Sequence, residues 1–105
     1  MTKPKIHIPR EQIIEFCRHW KITEFSLFGS VLRDDFGPVS DVDVLVTFAD
    51  DAQWSLLDHV DMQDELKEIL GRNVDLVSRR GIERSRNKLR RKEILESAEV
   101  YHAAA

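Results

Sequence analysis

Two short motifs hold the residues of this chain that are best suited to chemistry. Gly29 and Ser30 follow an apolar run, and after ten intervening residues Asp41 and Asp43 flank a valine at the start of a second apolar run. A glycine lets the backbone approach a ligand closely, and a serine hydroxyl can hydrogen-bond a phosphate. Because alternate side chains of a strand share a face, Asp41 and Asp43 would lie side by side, where a cation relieves their repulsion.

The chemistry that these two motifs suit together is nucleotidyl transfer. Carboxylate oxygens are good ligands for Mg²⁺, which keeps several waters and is shared with phosphate oxygens. Two such ions can hold the attacking and the leaving oxygen of an in-line displacement, so a pair of Mg²⁺ ions is expected. Arg33 lies one turn after Ser30 and is a candidate for pairing with the leaving pyrophosphate.

Strand pairing must bring these motifs together for a site to form. The connection 31–40 is shorter than the dozen or more residues of an ordinary parallel crossover, so the first two strands are predicted to be antiparallel. A full helix joins the second strand to the third, which permits a parallel pair. Asp75, near the start of the third strand, then reaches the edge that holds Asp41 and Asp43. The sequence therefore predicts three carboxylates and the Gly29–Ser30 turn at one edge of a small mixed sheet.

The hydrophobic pattern predicts an α+β fold in the order α-β-α-β-α-β-α, where the third element is one helical turn at residues 30–33. Strands are expected at residues 24–29, 42–48 and 73–78, with a loop over residues 34–40. A long helix is predicted from Asp50 or Asp51 to about Leu70, and a last helix between Arg86 and Tyr101. The apolar faces are expected to contain Ile13, Phe16, Cys17 and Trp20 in the first helix, Leu56, Val60, Met62, Leu66, Ile69 and Leu70 in the long helix, and Ile94, Leu95, Ala98 and Tyr101 in the last.

Length and composition limit the class of protein. With 105 residues, 42% hydrophobic and 33% charged, the chain fits one globular domain spanning residues 1–105. No apolar stretch approaches the roughly 20 residues that cross a bilayer, and the first residues lack the apolar core of an export signal. The lone Cys17 excludes an internal disulfide and agrees with a reducing compartment, so a cytoplasmic location without membrane contact is expected.

Charge is segregated along the chain, whose net charge is −3. Twelve acids and two basic residues lie between Asp34 and Asp75, whereas eight basic residues and one acid lie between Arg79 and Lys92. Such runs are usually solvated surface, although a basic run can also bind a partner or a phosphate. This one has no interleaved aromatic side chains to stack on bases, which disfavours direct nucleic-acid binding. We favour a docking or phosphate-screening role for it.

Three stretches of the chain resemble one protein family. Residues 27–33, which contain the Gly29-Ser30 turn, and residues 40–46, which contain the two aspartates, are similar to the signature of the DNA polymerase β-type nucleotidyltransferase superfamily. The small size and the run 89–95 resemble its minimal nucleotidyltransferases (MNT). One departure is Asp34, because many members carry glycine after the arginine.

The resemblance implies a fold, a reaction and a partner. The fold is the nucleotidyltransferase fold, and the reaction is transfer of AMP from ATP with Mg²⁺. Because larger relatives add an acceptor-binding domain that this sequence lacks, the partner would itself be the acceptor. In the minimal family that partner is a HEPN ribonuclease toxin, modified on a tyrosine, so an antitoxin in a hetero-oligomer is expected. The implied catalytic and metal-binding residues are Asp41, Asp43 and Asp75, and the implied nucleotide-binding residues are Gly29, Ser30 and Arg33.

Two alternatives remain open from the sequence. The chain could be a binding module that neutralises the toxin by complex formation and retains the site without turnover. It could also transfer a nucleotide to a small molecule such as an antibiotic, which the missing acceptor domain disfavours.

Overall fold

The secondary structure is that of a mixed α+β protein, as predicted. The computed structural model describes residues 6–33, 37 and 40–103, so residues 34–36 and 38–39 of the predicted loop, with Asp34, lie outside the described part. The first described elements are helix α1 (Arg10–His19), strand β1 (Ile22–Phe28), a 3₁₀ turn (Gly29–Leu32) and strand β2 (Val42–Phe48). They are followed by α2 (Leu56–Leu70), β3 (Val74–Ser78), α3 (Arg79–Glu83), α4 (Lys88–Ser97) and β4 (Glu99–Ala103).

One mixed sheet connects the strands of the described residues in the order β3-β2-β1-β4. β1 and β2 are antiparallel and β2 and β3 are parallel, which confirms both predicted pairings. Phe28, the last residue of β1, lies opposite Asp43, and Asp43 in turn lies beside Asp75 of β3. The end of β1 and the starts of β2 and β3 therefore meet at one edge of the sheet.

The two faces of the sheet bury different helices. On one face α1 and α2 pack on a core that includes Phe25, Val44 and Leu66. On the other face a smaller cluster joins Phe28 and Leu45 to Ile82 of α3 and Ile94 of α4. Because side chains alternate along a strand, Asp43 shares the face of Leu45, and Asp75 shares the face of Val77. Both carboxylates thus lie on the α4 side of the sheet.

Helix α2 begins later than predicted, and part of its predicted apolar face is exposed. Its N-cap is Ser55, not Asp50 or Asp51: the Ser55 hydroxyl accepts from the Asp58 amide at 3.2 Å, and the Asp58 carboxylate accepts from the Ser55 amide at 2.8 Å. This reciprocal pair is a capping box. Leu56 is 79% exposed and Val60 48%, so burying them was a wrong prediction, whereas Met62 and Leu66 are buried as expected. Gly71 ends the helix in the left-handed conformation, as predicted.

The C-terminal region also differs from the prediction. The last helix ends at Ser97, and a fourth strand follows, which pairs antiparallel with β1. Tyr101 therefore lies in a strand, where its ring packs edge-on against Phe25 with centroids 6.2 Å apart. β1 without β4 would be a sheet edge with unpaired backbone groups, and valine and tyrosine at positions 100 and 101 favour strands. Pairing with β1 thus outweighs continuation of the helix.

Candidate active site

Asp41, Asp43 and Asp75 lie within electrostatic reach of one another. Asp43 starts β2 beside Asp75 of β3, and exposed Asp41 directly precedes the strand. Burial raises the pKa of Asp43, and the negative charges of Asp75 and Asp41 raise it further, while the positive charges of Arg90 and Arg33 act in the opposite direction. Burial and like charge both disfavour an ionised carboxylate. The structure thus places Asp43 beside Asp75 and within electrostatic range of Asp41, and a metal site shared by all three stays a prediction.

Gly29 is tied directly to this carboxylate cluster. Its φ is +74°, and a Cβ atom on it would lie 2.2 Å from the Asp43 carboxylate oxygen Oδ2. A Cβ atom there would force the Asp43 carboxylate to move, and the positive φ independently favours glycine. The backbone of the turn therefore approaches Asp43 as closely as it can, and a ligand of the carboxylates would also lie beside the turn.

Ser30 and Arg33 belong to the same turn, but only Arg33 lines the cavity next to the carboxylates. The Arg33 amide donates to the Ser30 carbonyl at 2.9 Å, which closes the turn. Arg33 lines the cavity beside Asp43, and its positive charge acts to lower the pKa of that carboxyl. Its role at the leaving pyrophosphate stays a prediction. Ser30 is half-buried, and the lining of this cavity does not include it or Asp41.

The cavity has a volume of about 380 Å³ and lies between the sheet edge and α4. It is formed by the end of β1 and the turn, the starts of β2 and β3, one face of α4 and the first residue of β4. Its lining consists of Phe28, Gly29, Leu32, Arg33, Asp43, Asp75, Arg90, Glu93, Ile94, Ser97 and Glu99.

The side chains from α4 and β4 were not among the predicted site residues. Arg90, Ile94 and Ser97 repeat at helical spacing, so burial of Ile94 against the sheet turns Arg90 toward the same side. The helical spacing was the sequence signal that could have identified Arg90. It did not distinguish Arg90 from the other basic residues of the same run. The buried Glu99 oxygen Oε2 has no hydrogen-bond partner among the described residues and could accept one from a bound hydroxyl or amino group.

The carboxylates fit a hard cation such as Mg²⁺ in charge and donor type. Asp43 and Asp75 supply oxygen ligands on adjacent strands, and their repulsion is what a divalent cation relieves. Within residues 6–33, 37 and 40–103, no group of three or more His, Cys, Asp or Glu side chains is placed to hold a metal ion by itself. An open arrangement suits Mg²⁺, because that ion completes its shell with waters and substrate phosphates.

Comparison with known proteins gives the family. The family model for the nucleotidyltransferase domain matches residues 10–101. A chain of Methanocaldococcus jannaschii named as a protein adenylyltransferase is 36% identical over 69 residues, which cover 66% of this chain and 72% of that one. The family model therefore includes the region of the site, and the relative is matched over most of its length.

Solved structures agree with this assignment. A structure described as a minimal nucleotidyltransferase is 34% identical, with a TM-score of 0.65 and 86% of each chain covered. A chain in a complex of the tri-AMPylated HEPN toxin of Shewanella oneidensis with MNT antitoxin has a TM-score of 0.62 at 23% identity, covering 90% of this chain and 69% of that one. At that identity the likeness concerns the fold. The resemblance that the Gly29–Ser30 and Asp41–Asp43 motifs indicated is confirmed, and the chain belongs to the nucleotidyltransferase domain family.

Proposed function

We propose that this protein is a Mg²⁺-dependent adenylyltransferase that transfers AMP from ATP to a tyrosine hydroxyl of a HEPN toxin, and so acts as its antitoxin. Asp41, Asp43 and Asp75 would hold two Mg²⁺ ions, which supply charge neutralisation on the triphosphate and activation of the attacking hydroxyl. Gly29 and Ser30 would receive the phosphates, and Arg33 the leaving pyrophosphate.

The observation that carries this proposal is the position of Asp43. It lies opposite Phe28 in one strand pair and beside Asp75 in the other, and its carboxylate fills the space where Gly29 has no side chain. A phosphate placed on the Gly29 turn would therefore lie beside two carboxylates. The relatives named as adenylyltransferases, and the AMPylated toxin in a complex of the same fold, support AMP as the transferred group.

The test is transfer to a purified HEPN partner, with mass spectrometry as the readout. The protein is incubated with this partner, Mg²⁺ and each of the four nucleoside triphosphates, and the partner is then dissociated and weighed. We expect the partner to gain whole AMP units, on a tyrosine, from ATP only. The Asp41→Asn/Asp43→Asn variant should leave it unmodified, and Asp61→Asn/Asp64→Asn, which removes two exposed charges on α2, should act like the wild type.

A second candidate function is neutralisation by complex formation without transfer. Two adjacent leucines in the first turn of α2 favour it, because Leu56 is 79% and Leu57 76% exposed and exposed apolar pairs of this kind mark interaction surfaces. The same experiment separates the two functions. Toxin that is recovered unmodified and active after dissociation, from a complex that Leu56→Asp/Leu57→Asp abolishes, would favour occlusion over transfer.

A further inference from the structure

We propose that Arg90 is a positioning residue that neutralises Asp75 in the nucleotide-free protein and moves to a phosphate of the nucleotide when cations bind the carboxylates. This inference rests on the proposed function, because it concerns the same carboxylates and the same nucleotide. It adds to that function a residue outside both sequence motifs, contributed by α4.

The fold directs Arg90 toward the carboxylates. Ile94, one turn later on α4, is buried against Phe28 and Leu45, on the face of the sheet that also bears Asp43 and Asp75. Residues four apart on a helix share a face, so the Arg90 guanidinium lies over the start of β3. Its Nη2 atom is 3.9 Å from the Asp75 carboxylate oxygen Oδ2.

The Arg90–Asp75 ion pair is weak enough for Arg90 to exchange Asp75 for another anionic group. A separation of 3.9 Å is an ion pair, but it is too long for a direct hydrogen bond. The Arg90 and Asp75 side chains are 53% and 48% exposed, so water reaches both. Exposed ion pairs of this kind contribute little to the stability of a protein, so little is lost when Arg90 leaves.

A phosphate group bound in the same cavity would be a second binding partner for Arg90. Arg90 lines the cavity together with the Gly29 turn and Arg33, and two arginines in one cavity next to carboxylates suit a polyphosphate. A guanidinium binds phosphate oxygens through two parallel hydrogen bonds. Arg90 would therefore repel a divalent cation that binds alone. It would attract the complex of the cation with a triphosphate, because that complex carries a net negative charge.

Arg90 should thus weaken binding of the cation alone and strengthen binding of the nucleotide, and these opposite effects can be tested without measuring activity. Arg90→Gln, Arg90→Lys and Arg91→Gln are compared with the wild type. Arg91 is the matched control, because it has the same charge on the same helix but donates to the Glu83 carbonyl at 3.3 Å. Calorimetric titrations measure the affinity for Mn²⁺ alone, and then for the α,β-methylene analogue of ATP with Mn²⁺ present. The analogue keeps the triphosphate but cannot be cleaved between the α and β phosphorus atoms.

We expect Arg90→Gln to bind Mn²⁺ alone roughly two- to fivefold more tightly and the analogue roughly tenfold more weakly, with Arg91→Gln unchanged in both. Arg90→Lys should recover part of the analogue affinity, because it restores the charge without the paired hydrogen bonds. A residue that only supports the fold would lower both affinities in Arg90→Gln.

Two results would each overturn this inference but leave the proposed function standing. One is equal affinities in Arg90→Gln and the wild type, and the other is a loss of affinity for both Mn²⁺ and the analogue in Arg90→Gln. If the wild type bound neither Mn²⁺ nor the analogue, the proposed function and this inference would fail together. Thermal melting of each variant without ligands shows that the compared proteins are folded.

Discussion

At the scale of single residues, the contact between Gly29 and Asp43 joins the two sequence motifs. Alanine at position 29 would meet both a φ of +74° and a carboxylate oxygen 2.2 Å away. Gly71 offers a matched control, because its φ is +67° but nothing lies within 4 Å of its Cβ position. The two positions thus separate backbone strain from the close approach to Asp43.

We expect Gly71→Ala to lower the free energy of unfolding by about 1 kcal/mol, near the lower end of the cost of a left-handed non-glycine residue. Gly29→Ala should cost clearly more, because it adds the clash, and it should also weaken nucleotide binding. Urea denaturation measures the first quantity and calorimetry the second. Equal losses of stability in the two variants would show that the Asp43 contact does not constrain position 29.

Asp43 also makes stability depend on pH. Its pKa is raised above 3.8 by burial, Asp75 and Asp41, so the folded protein binds a proton more readily than the unfolded chain. The penalty for ionising Asp43 is absent below the unfolded pKa of 3.8, grows as the pH rises through the folded pKa and is fully present above it.

Asp43→Asn should therefore raise the melting temperature at about pH 7, and this gain should shrink as the pH falls toward about 4. The measurement is thermal melting with EDTA present at a series of pH values, with Asp61→Asn on the exposed surface of α2 as the control. A gain that is the same at every pH would contradict a raised pKa in the folded protein.

At the scale of secondary-structure elements, two helix caps should stabilise the fold to a similar extent, but only one of them holds a helix that lines the site. Ser55 caps α2, and Asn87 caps α4 by accepting from the Arg90 amide at 3.0 Å. Only α4 contributes side chains to the cavity.

We expect Ser55→Ala and Asn87→Ala each to lower the free energy of unfolding by about 1 kcal/mol. Asn87→Ala should also weaken binding of the Mg²⁺-nucleotide several-fold, because fraying of the first turn of α4 releases Arg90. Ser55→Ala should leave that affinity unchanged. Chemical denaturation and calorimetry give the two values, and a nucleotide effect in Ser55→Ala as large as in Asn87→Ala would contradict this division of roles.

The elements also show what the sequence could and could not predict. The antiparallel and parallel pairings followed from the length of one loop and the presence of one helix, and both are confirmed. The start of α2 did not follow, since several nearby residues can cap a helix. The capping box of Ser55 and Asp58 marks the start, and a distant contact holds the residue before it, since the Trp54 indole donates to the Trp20 carbonyl at 2.9 Å.

The fourth strand and the α4 contribution were missed for similar reasons. Ile94, Ala98 and Tyr101 continue a helical spacing, and the strand preference of Val100 and Tyr101 is too weak a local signal to show that the helix ends at Ser97. The unpaired side of β1, far away in sequence, provides the stronger interaction. Arg90 was one of eight basic residues, and only the packing of its own helix distinguishes it from the others. The roles assigned to Ser30 and Arg33, and the single domain over residues 1–105, stay predictions.

At the scale of the whole molecule, the structure favours joint binding of metal and nucleotide. Each alone would meet an incomplete site: the cation finds few protein ligands, and the triphosphate faces carboxylates. No helix of the described residues is long and apolar enough to cross a membrane.

ATP with Mg²⁺ should raise the melting temperature more than the sum of the separate shifts. At about 100 times the dissociation constant, the gain in stability is about 2.7 kcal/mol. ATP with EDTA and Mg²⁺ without ATP are the two controls, and Asp41→Asn/Asp43→Asn should abolish the joint increment. Equal shifts from ATP with and without EDTA would mean that the nucleotide binds without a metal bridge.

The buried Cys17 has a practical consequence for such experiments. Burial raises the pKa of its thiol to about 12, so at neutral pH it is neither a thiolate nor open to a reagent. A second cysteine introduced at an exposed position, such as Leu89 on α4, would then be the one reactive thiol of the folded chain. A fluorophore attached there could report the approach of a partner or a nucleotide in real time without removal of the native cysteine from the core.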